Sequence, residues 1–160
     1  KAEVLLRKKS GAAADKKSDR ELGAGVIGSY VHDGAVGAMV VLSCETDFVA
    51  KNPEFPALAR EIAMQVAATD PLYLTDAEIA EDKKAAAMEI FTKEVEGKPE
   101  EMKAKILEGK LASYFQSSVL MNQPYIKDDS KSVRELVAEA SQKFGERVEI
   151  TKFARFSTRG

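Results

Sequence analysis

The sequence predicts an α+β domain in which a small three-stranded, largely antiparallel sheet packs with about four helices. Two strand-like stretches, 26–31 and 36–42, are separated by Asp33 and Gly34, a strong hairpin-turn signal. Later segments repeat apolar residues at helical spacing, and residues 148–156 alternate imperfectly, which predicts a last strand. An early hairpin and a final strand with helices between them are typical of an α+β domain.

The second strand of the hairpin is predicted to lie in the middle of the sheet. Residues 38–44 are apolar on both faces, which favours a strand that is covered on at least one side. The segment 53–68 then carries apolar side chains at helical spacing and predicts an amphipathic helix. Asn52 followed by Pro53 fits a helix cap with proline at the first helical position, although the helix could also begin earlier, near Thr46.

Three further helices complete the predicted set. They are expected at residues 75–95, 100–120 and 132–144. Thr75 with Glu78 has the spacing of a capping box, in which the two side chains bond each other's backbone N–H groups, and Ser132 with Glu135 has the same spacing. Gly145 is predicted to end the last helix.

The N-terminal residues are predicted to lie outside this domain. Residues 1–9 fit the last turns of a helix that basic residues close, and residues 10–19 fit a polar linker. The domain itself is therefore expected to span residues 20–160. Because the chain begins at Lys1, without a methionine or a signal peptide, we expect a processed protein, a trimmed chain or a fragment.

Composition narrows the possible partners. The net charge is −2, and the sequence gives no support to the clustered basic face that direct nucleic-acid binding needs. No stretch reaches the apolar length of a membrane span. One histidine and one cysteine cannot build a zinc site, and no glycine-rich phosphate loop is present. We therefore expect no metal, no cofactor, no direct nucleic-acid contact and no membrane contact.

The sequence also gives no support to an enzyme. A thiol enzyme would need Cys44 to be activated by a base such as His32. Cys44 ends a predicted buried strand, where a cysteine usually behaves as a small apolar residue, and a single cysteine favours a reducing compartment. His32 is expected to be an exposed residue beside the hairpin turn.

The junction between the hairpin and the first helix is the most informative part of the chain. Thr46, Asp47 and Phe48 can project together from this rigid platform, and a phenylalanine beside a carboxylate indicates a partner-binding surface. The alternatives are that Phe48 packs in the core and that Asp47 caps the helix. Val49 is the better candidate for the core.

Residues 44–52 resemble the signature of elongation factor Ts, the nucleotide-exchange factor of the translational GTPase Tu. Further similarities follow in the family's order at Gly28 to His32 with Gly37, Gly109 to Leu111, Gln123 to Tyr125, and Arg155 with Phe156. Residues 4–9 look like the end of the family's N-terminal three-helix domain. The resemblance thus implies that residues 1–19 are the tail and linker of this UBA-like domain, and that residues 20–160 are the family's core.

The resemblance implies a guanine nucleotide exchange factor that acts in translation elongation. Asp47 and Phe48 would enter between helices of the nucleotide domain of elongation factor Tu and displace packing that supports its Mg²⁺ site, so that the P-loop loses its hold on GDP. Thr46 and Val49 would orient this wedge. No bond is made or broken, so the resemblance implies no enzyme.

The resemblance has further implications for partners and location. His32 and Gly145 match positions of a second contact patch for elongation factor Tu, which lies in the family's other core half. Short family members with one core are expected to form a homodimer that presents two cores. The hairpin looks closest to cyanobacterial and plastid members, which implies the cytoplasm of a bacterium or a plastid stroma. A different hypothesis is a non-catalytic module that docks on the ribosome or on a translation factor.

Overall fold

The computed structural model describes residues 19–160, so the predicted N-terminal tail and linker lie outside the described residues except for Asp19. The described chain divides into two compact units. The sheet unit combines the residues up to Asp70 with residues 124–160, and the helical unit consists of residues 71–123.

The strands confirm the predicted α+β class. In chain order they are β1 (Ala24–His32), β2 (Val36–Cys44), β3 (Pro124–Tyr125), β4 (Asp128–Ser132) and β5 (Glu149–Ser157). β1, β2 and β5 form an antiparallel three-stranded sheet in that order, so β2 is the central strand, as predicted. The small β3–β4 pair was not predicted, because two residues beside a charged strand give no alternation of apolar and polar side chains.

Five helices accompany the strands in the described residues. They are α1 (Asp47–Ala50), α2 (Glu54–Thr69), α3 (Glu81–Glu94), α4 (Glu100–Gln116) and α5 (Val133–Phe144). The sheet unit contains α1, α2 and α5, and the helical unit contains α3 and α4. The Asn52 Oδ1 atom accepts a hydrogen bond from the N–H of Glu54, the first residue of α2, at 3.0 Å, and Pro53 occupies the N-cap position with helical backbone angles. The single turn α1 ends at Ala50 and is a separate element.

One face of the sheet carries the core of its unit. Phe55, Ile62 and Val66 of α2 are fully buried together with Val40 and Leu42 of β2. The backbone of β1 lies so close to α2 that a Cβ atom at Gly28 would be 2.3 Å from the carbonyl carbon of Ala59. This close approach explains why a glycine occupies the middle of a strand.

The other face of the sheet is apolar and exposed. Because side chains alternate along a strand and paired residues share a face, the residues Ile27, Val31, Met39 and Phe156 all lie on the side opposite α2. Their exposed fractions are 64%, 66%, 50% and 74%, respectively. We call these four residues the open sheet face.

Of the two predicted capping boxes, only the second forms. The Ser132 Oγ atom accepts the Glu135 N–H at 3.1 Å, and the Glu135 carboxylate accepts the Ser132 N–H at 3.2 Å. Gly145 then ends α5 with φ 71°, as predicted.

The predicted box at Thr75 is wrong. Its partner Glu78 instead accepts the N–H of Leu74, one residue earlier than a capping box requires, and Thr75 makes no side-chain cap. The residues Asp76–Glu78 form an isolated 3₁₀ turn, and extended backbone follows, so that α3 begins only at Glu81. The helix predicted at residues 100–120 is also shorter than expected, since α4 ends at Gln116.

Candidate functional site

The candidate site is the turn that follows β2, and we call Thr46, Asp47, Phe48 and Val49 the tip. Phe48 is 85% exposed, so the alternative that it packs in the core is wrong. Val49 is only 4% exposed and lies in the core, as its pattern predicted. Asp47 is exposed and is the first residue of α1, whereas Thr46 occupies the N-cap position with extended backbone. The alternative that Asp47 caps the helix is therefore also wrong.

Buried residues fix both sides of the tip. Cys44 before it and Ala50 after it are buried, and the Cys44 Sγ–H donates a hydrogen bond to the Thr46 carbonyl at 3.3 Å. The exposed Phe48 ring therefore stands between two anchored stretches of backbone. This arrangement presents an apolar side chain and a carboxylate to a partner from a rigid base.

A third element holds the tip, and no sequence pattern predicts it. The Glu146 carboxylate accepts hydrogen bonds from the Glu45 N–H at 3.1 Å, the Thr46 N–H at 3.0 Å and the Thr46 hydroxyl at 2.6 Å. Glu146 lies in the turn after α5, 100 residues from Thr46. No local spacing pattern relates residues so far apart, and the resemblance points only to the adjacent Gly145.

The turn that carries Glu146 makes further contacts to the base of the tip. The Arg147 N–H donates to the Glu45 carboxylate at 3.2 Å, and the Arg20 guanidinium lies 3.5 Å from the same carboxylate. The Ser141 hydroxyl donates to the Glu146 carbonyl at 2.7 Å, which ties the turn to the end of α5. Side chains and backbone thus join three distant segments of the sheet unit at this point.

His32 and Gly145, the two weaker candidates, lie at opposite ends of the sheet unit. His32 is exposed at the turn of the hairpin, where its Nδ1 atom lies 2.8 Å from the Tyr30 hydroxyl. The nine residues of β2 separate this turn from the tip, a distance of roughly 26 Å at the usual rise per residue. Gly145 directly precedes Glu146, so it lies at the tip's end of the unit.

The same separation removes the basis for a thiol enzyme. Cys44 lies at the tip's end of β2 and His32 at the other end, so His32 cannot act as its base. Burial raises the pKa of the Cys44 thiol, and the nearby Glu146 carboxylate raises it further. Cys44 is therefore a buried, protonated structural residue.

Two kinds of site are absent among residues 19–160. No group of three or more His, Cys, Asp or Glu side chains is arranged to hold a metal ion. No helix there has both the length and the apolar character that a membrane crossing requires. The tip is an exposed feature that is both apolar and structurally anchored.

Comparison with known proteins gives consistent matches over nearly the whole chain. The family model described as elongation factor TS matches residues 15–159. The elongation factor Ts of Thermodesulfovibrio yellowstonii is 43% identical over 98% of this chain and 79% of its own length. The corresponding proteins of Myxococcus xanthus and Prochlorococcus marinus are 42% and 45% identical over 98% of this chain, and 73% and 74% of their lengths are covered. The matched region includes the tip and both units.

Proposed function

This chain belongs to the elongation factor Ts family and is a translation elongation factor, and on that premise we propose that it is a guanine nucleotide exchange factor for elongation factor Tu. It would accelerate the release of GDP from this GTPase. Because exchange makes and breaks no covalent bond, we assign no enzymatic activity to the chain. The location that fits this role is the cytoplasm of a bacterium or a plastid stroma, and the bacterial sources of the compared relatives support it.

The exposure of Phe48 is the observation that carries this proposal. A large aromatic ring that is 85% exposed, on a backbone that buried neighbours hold, has the properties of an interface anchor. Burying such a ring in a partner contributes about 2 kcal/mol or more to binding. The exposed Asp47 carboxylate beside it adds charge that can orient the approach.

In the proposed mechanism, Phe48 acts as a wedge between helices of the nucleotide-binding domain of elongation factor Tu. Inserting the ring displaces side chains that support the Mg²⁺ site, and the P-loop backbone then loses contacts with the β-phosphate of GDP. Val49 is buried, so its part is to anchor the wedge rather than to contact the partner. Thr46 sets the direction in which the wedge leaves the sheet unit.

Thermodynamic linkage gives this function a signature. If the factor weakens GDP binding, GDP must weaken binding of the factor by the same ratio. An exchange factor therefore binds the nucleotide-free GTPase best and is displaced by added GDP. A module that only docks on the ribosome or on a translation factor has no such dependence on nucleotide.

We further propose that two copies of the chain associate through the open sheet face. The four exposed apolar residues of one copy can pack against the same four residues of a second copy, because a two-fold axis brings identical surfaces together.

His32 and Gly145 are proposed contacts of the second patch. Because one chain holds them at opposite ends of the sheet unit, they would reach elongation factor Tu at separate places or from different copies.

The division into an N-terminal tail with its linker, residues 1–19, and a core at residues 20–160 remains part of the proposal. Its support is the family model, which begins at residue 15 and continues through the core.

The experiment that tests this function measures release of a fluorescent GDP analogue from elongation factor Tu. The GTPase is loaded with the analogue, mixed with excess GDP, and followed with increasing amounts of this chain. We expect acceleration by the wild type and its loss in the double variant Asp47→Ala/Phe48→Ala. Leu72→Ala is the matched control, because it removes an exposed apolar side chain, 65% exposed, from the helical unit.

Two results would contradict the proposal. One is the absence of acceleration by a folded chain, and the other is full acceleration by the double variant. Binding to elongation factor Tu that is equally strong with and without GDP would instead favour a docking module.

A further inference from the structure

Thr46 occupies a cap position without capping. The hydroxyl oxygen of a threonine at the N-cap of a helix usually accepts a hydrogen bond from the backbone N–H two or three residues later. Here the Thr46 side chain makes no such bond, and its hydroxyl donates to Glu146 instead, at 2.6 Å. Glu146 thereby holds the threonine hydroxyl away from the N–H groups of the tip.

The single turn α1 needs support from outside itself. It has four residues, and isolated helices of that length are not stable in water because nucleation is unfavourable. Two kinds of contact supply the support: the burial of Val49 and Ala50 on one side, and the bonds from Glu146 at the entry to the turn. The burial fixes the far end of the tip, and Glu146 fixes the end from which Phe48 projects.

Glu146 is itself held in place. The left-handed conformation of Gly145 ends α5 directly before it, and its own carbonyl accepts the Ser141 hydroxyl. The carboxylate is therefore delivered to Thr46 from a rigid helix end, and both of its oxygens are used. A supporting residue that is fixed in this way limits the conformations available to the residue it contacts.

We propose that Glu146 is a positioning residue, which holds Thr46 in its extended conformation and so keeps Asp47 and Phe48 aimed outward before a partner arrives. Ordering the tip in advance removes a conformational cost that binding would otherwise bear. The inference rests on the proposed function, since the benefit is expressed only when the tip inserts into the GTPase. The order of the tip in the free chain can nevertheless be measured by itself.

The exchange assay compares three substitutions. Glu146→Ala removes all three bonds, and we expect the exchange efficiency, the maximal release rate divided by the half-saturating concentration, to fall about tenfold. Glu146→Gln keeps an oxygen for the two N–H groups and an amide that can donate to the Thr46 hydroxyl, so we expect it to recover most of the efficiency. Glu139→Ala is the control, because it removes a half-buried glutamate of the same unit whose partner is Lys131.

A second measurement reports on the tip without any partner. The chain contains no tryptophan, so Phe48→Trp introduces a single tryptophan at the tip, which can be excited selectively over the four tyrosines. Time-resolved fluorescence anisotropy then gives the local mobility of that ring in the presence and absence of Glu146. We expect low mobility in Phe48→Trp, clearly higher mobility when Glu146→Ala is added, and no increase when Glu139→Ala is added.

The outcomes separate this inference from the proposed function. The inference is overturned if the mobility of the ring is unchanged in Glu146→Ala. It is also overturned if Glu146→Ala loses exchange efficiency and thermal stability only to the same degree as Glu139→Ala. Higher mobility, together with lower exchange efficiency at equal stability and recovery in Glu146→Gln, supports it. If the wild-type chain does not accelerate GDP release, the proposed function fails, and the anisotropy still decides whether Glu146 orders the tip.

Discussion

Phe48 and Val49 are neighbours along the chain, yet Phe48 is 85% exposed and Val49 is 4% exposed. The backbone of α1 places one side chain in solvent and the next in the core. The two residues therefore separate the contribution of the tip to partner binding from its contribution to stability.

We expect Phe48→Ala to impair exchange without changing stability, and Val49→Ala to lower stability. Phe48→Ala should slow GDP release at least about thirtyfold, the equivalent of roughly 2 kcal/mol, and leave the free energy of unfolding unchanged, because the ring makes few contacts in the free chain. Val49→Ala should lower the free energy of unfolding by about 1–3 kcal/mol, because it leaves a small cavity. Denaturant unfolding and the exchange assay measure the two quantities. A large loss of stability in Phe48→Ala would mean that the ring belongs to the core.

The contact between Gly28 and α2 leads to a prediction about packing. In Gly28→Ala the new Cβ atom would lie 2.3 Å from the carbonyl carbon of Ala59, and backbone atoms cannot move aside cheaply. We expect the free energy of unfolding to fall by about 3 kcal/mol or more. Gly37→Ala, in the same hairpin, is the control, because its Cβ would meet Val31 at an ordinary 3.4 Å. That variant should be equally stable or up to about 1 kcal/mol more stable; equal losses in both would contradict the argument.

The buried hydroxyl of Tyr125 makes the free energy of unfolding depend on pH in the alkaline range. It donates to the Glu61 carboxylate at 2.7 Å, and burial, then this carboxylate, raises the pKa of Tyr125. Because the pKa of Tyr125 is raised in the folded state, the contribution of its protonated hydroxyl to the free energy of unfolding is complete below the ordinary pKa of 10. That contribution is lost as the pH rises above 10.

We therefore expect Tyr125→Phe to be about 1 kcal/mol less stable than the wild type at pH 7, and the difference to narrow above pH 10. Urea unfolding at a series of pH values measures it. Tyr114→Phe is the control, since Tyr114 is exposed in the helical unit. A difference between wild type and Tyr125→Phe that stays constant up to pH 11 would show that the hydroxyl does not titrate as argued.

The open sheet face gives a prediction about assembly. If this face joins two copies, Ile27→Glu should produce a monomer, because it places a carboxylate in an apolar interface. Ile126→Glu is the control, since Ile126 is also exposed but lies outside the three strands of the sheet. Sedimentation velocity over a wide range of concentrations gives the mass in each case. A wild type that is monomeric throughout would rule out the homodimer.

Local signals account for the elements that were predicted from the sequence. Asp33 and Gly34 adopt the left-handed conformations that their residue types favour, with φ 51° and 66°, and the hairpin follows from them. Ser132 and Glu135 form their capping box because both partners lie within one helical turn. The same spacing fails at Thr75, where Glu78 finds the Leu74 N–H instead, since a spacing pattern does not specify which of two neighbouring donors the carboxylate will reach.

The sequence by itself determined the composition of the tip, the hairpin before it and the helix after it, because turn, cap and periodicity signals act between residues a few positions apart. Only the tertiary structure decided between the alternatives for Phe48, by placing its ring in solvent, and only the tertiary structure brings the Glu146 carboxylate to Thr46. Periodicity shows which residues share a face, but what covers that face depends on how distant segments pack. A hydrogen bond between residues 100 positions apart exists only once the ends of β2 and α5 have been brought together.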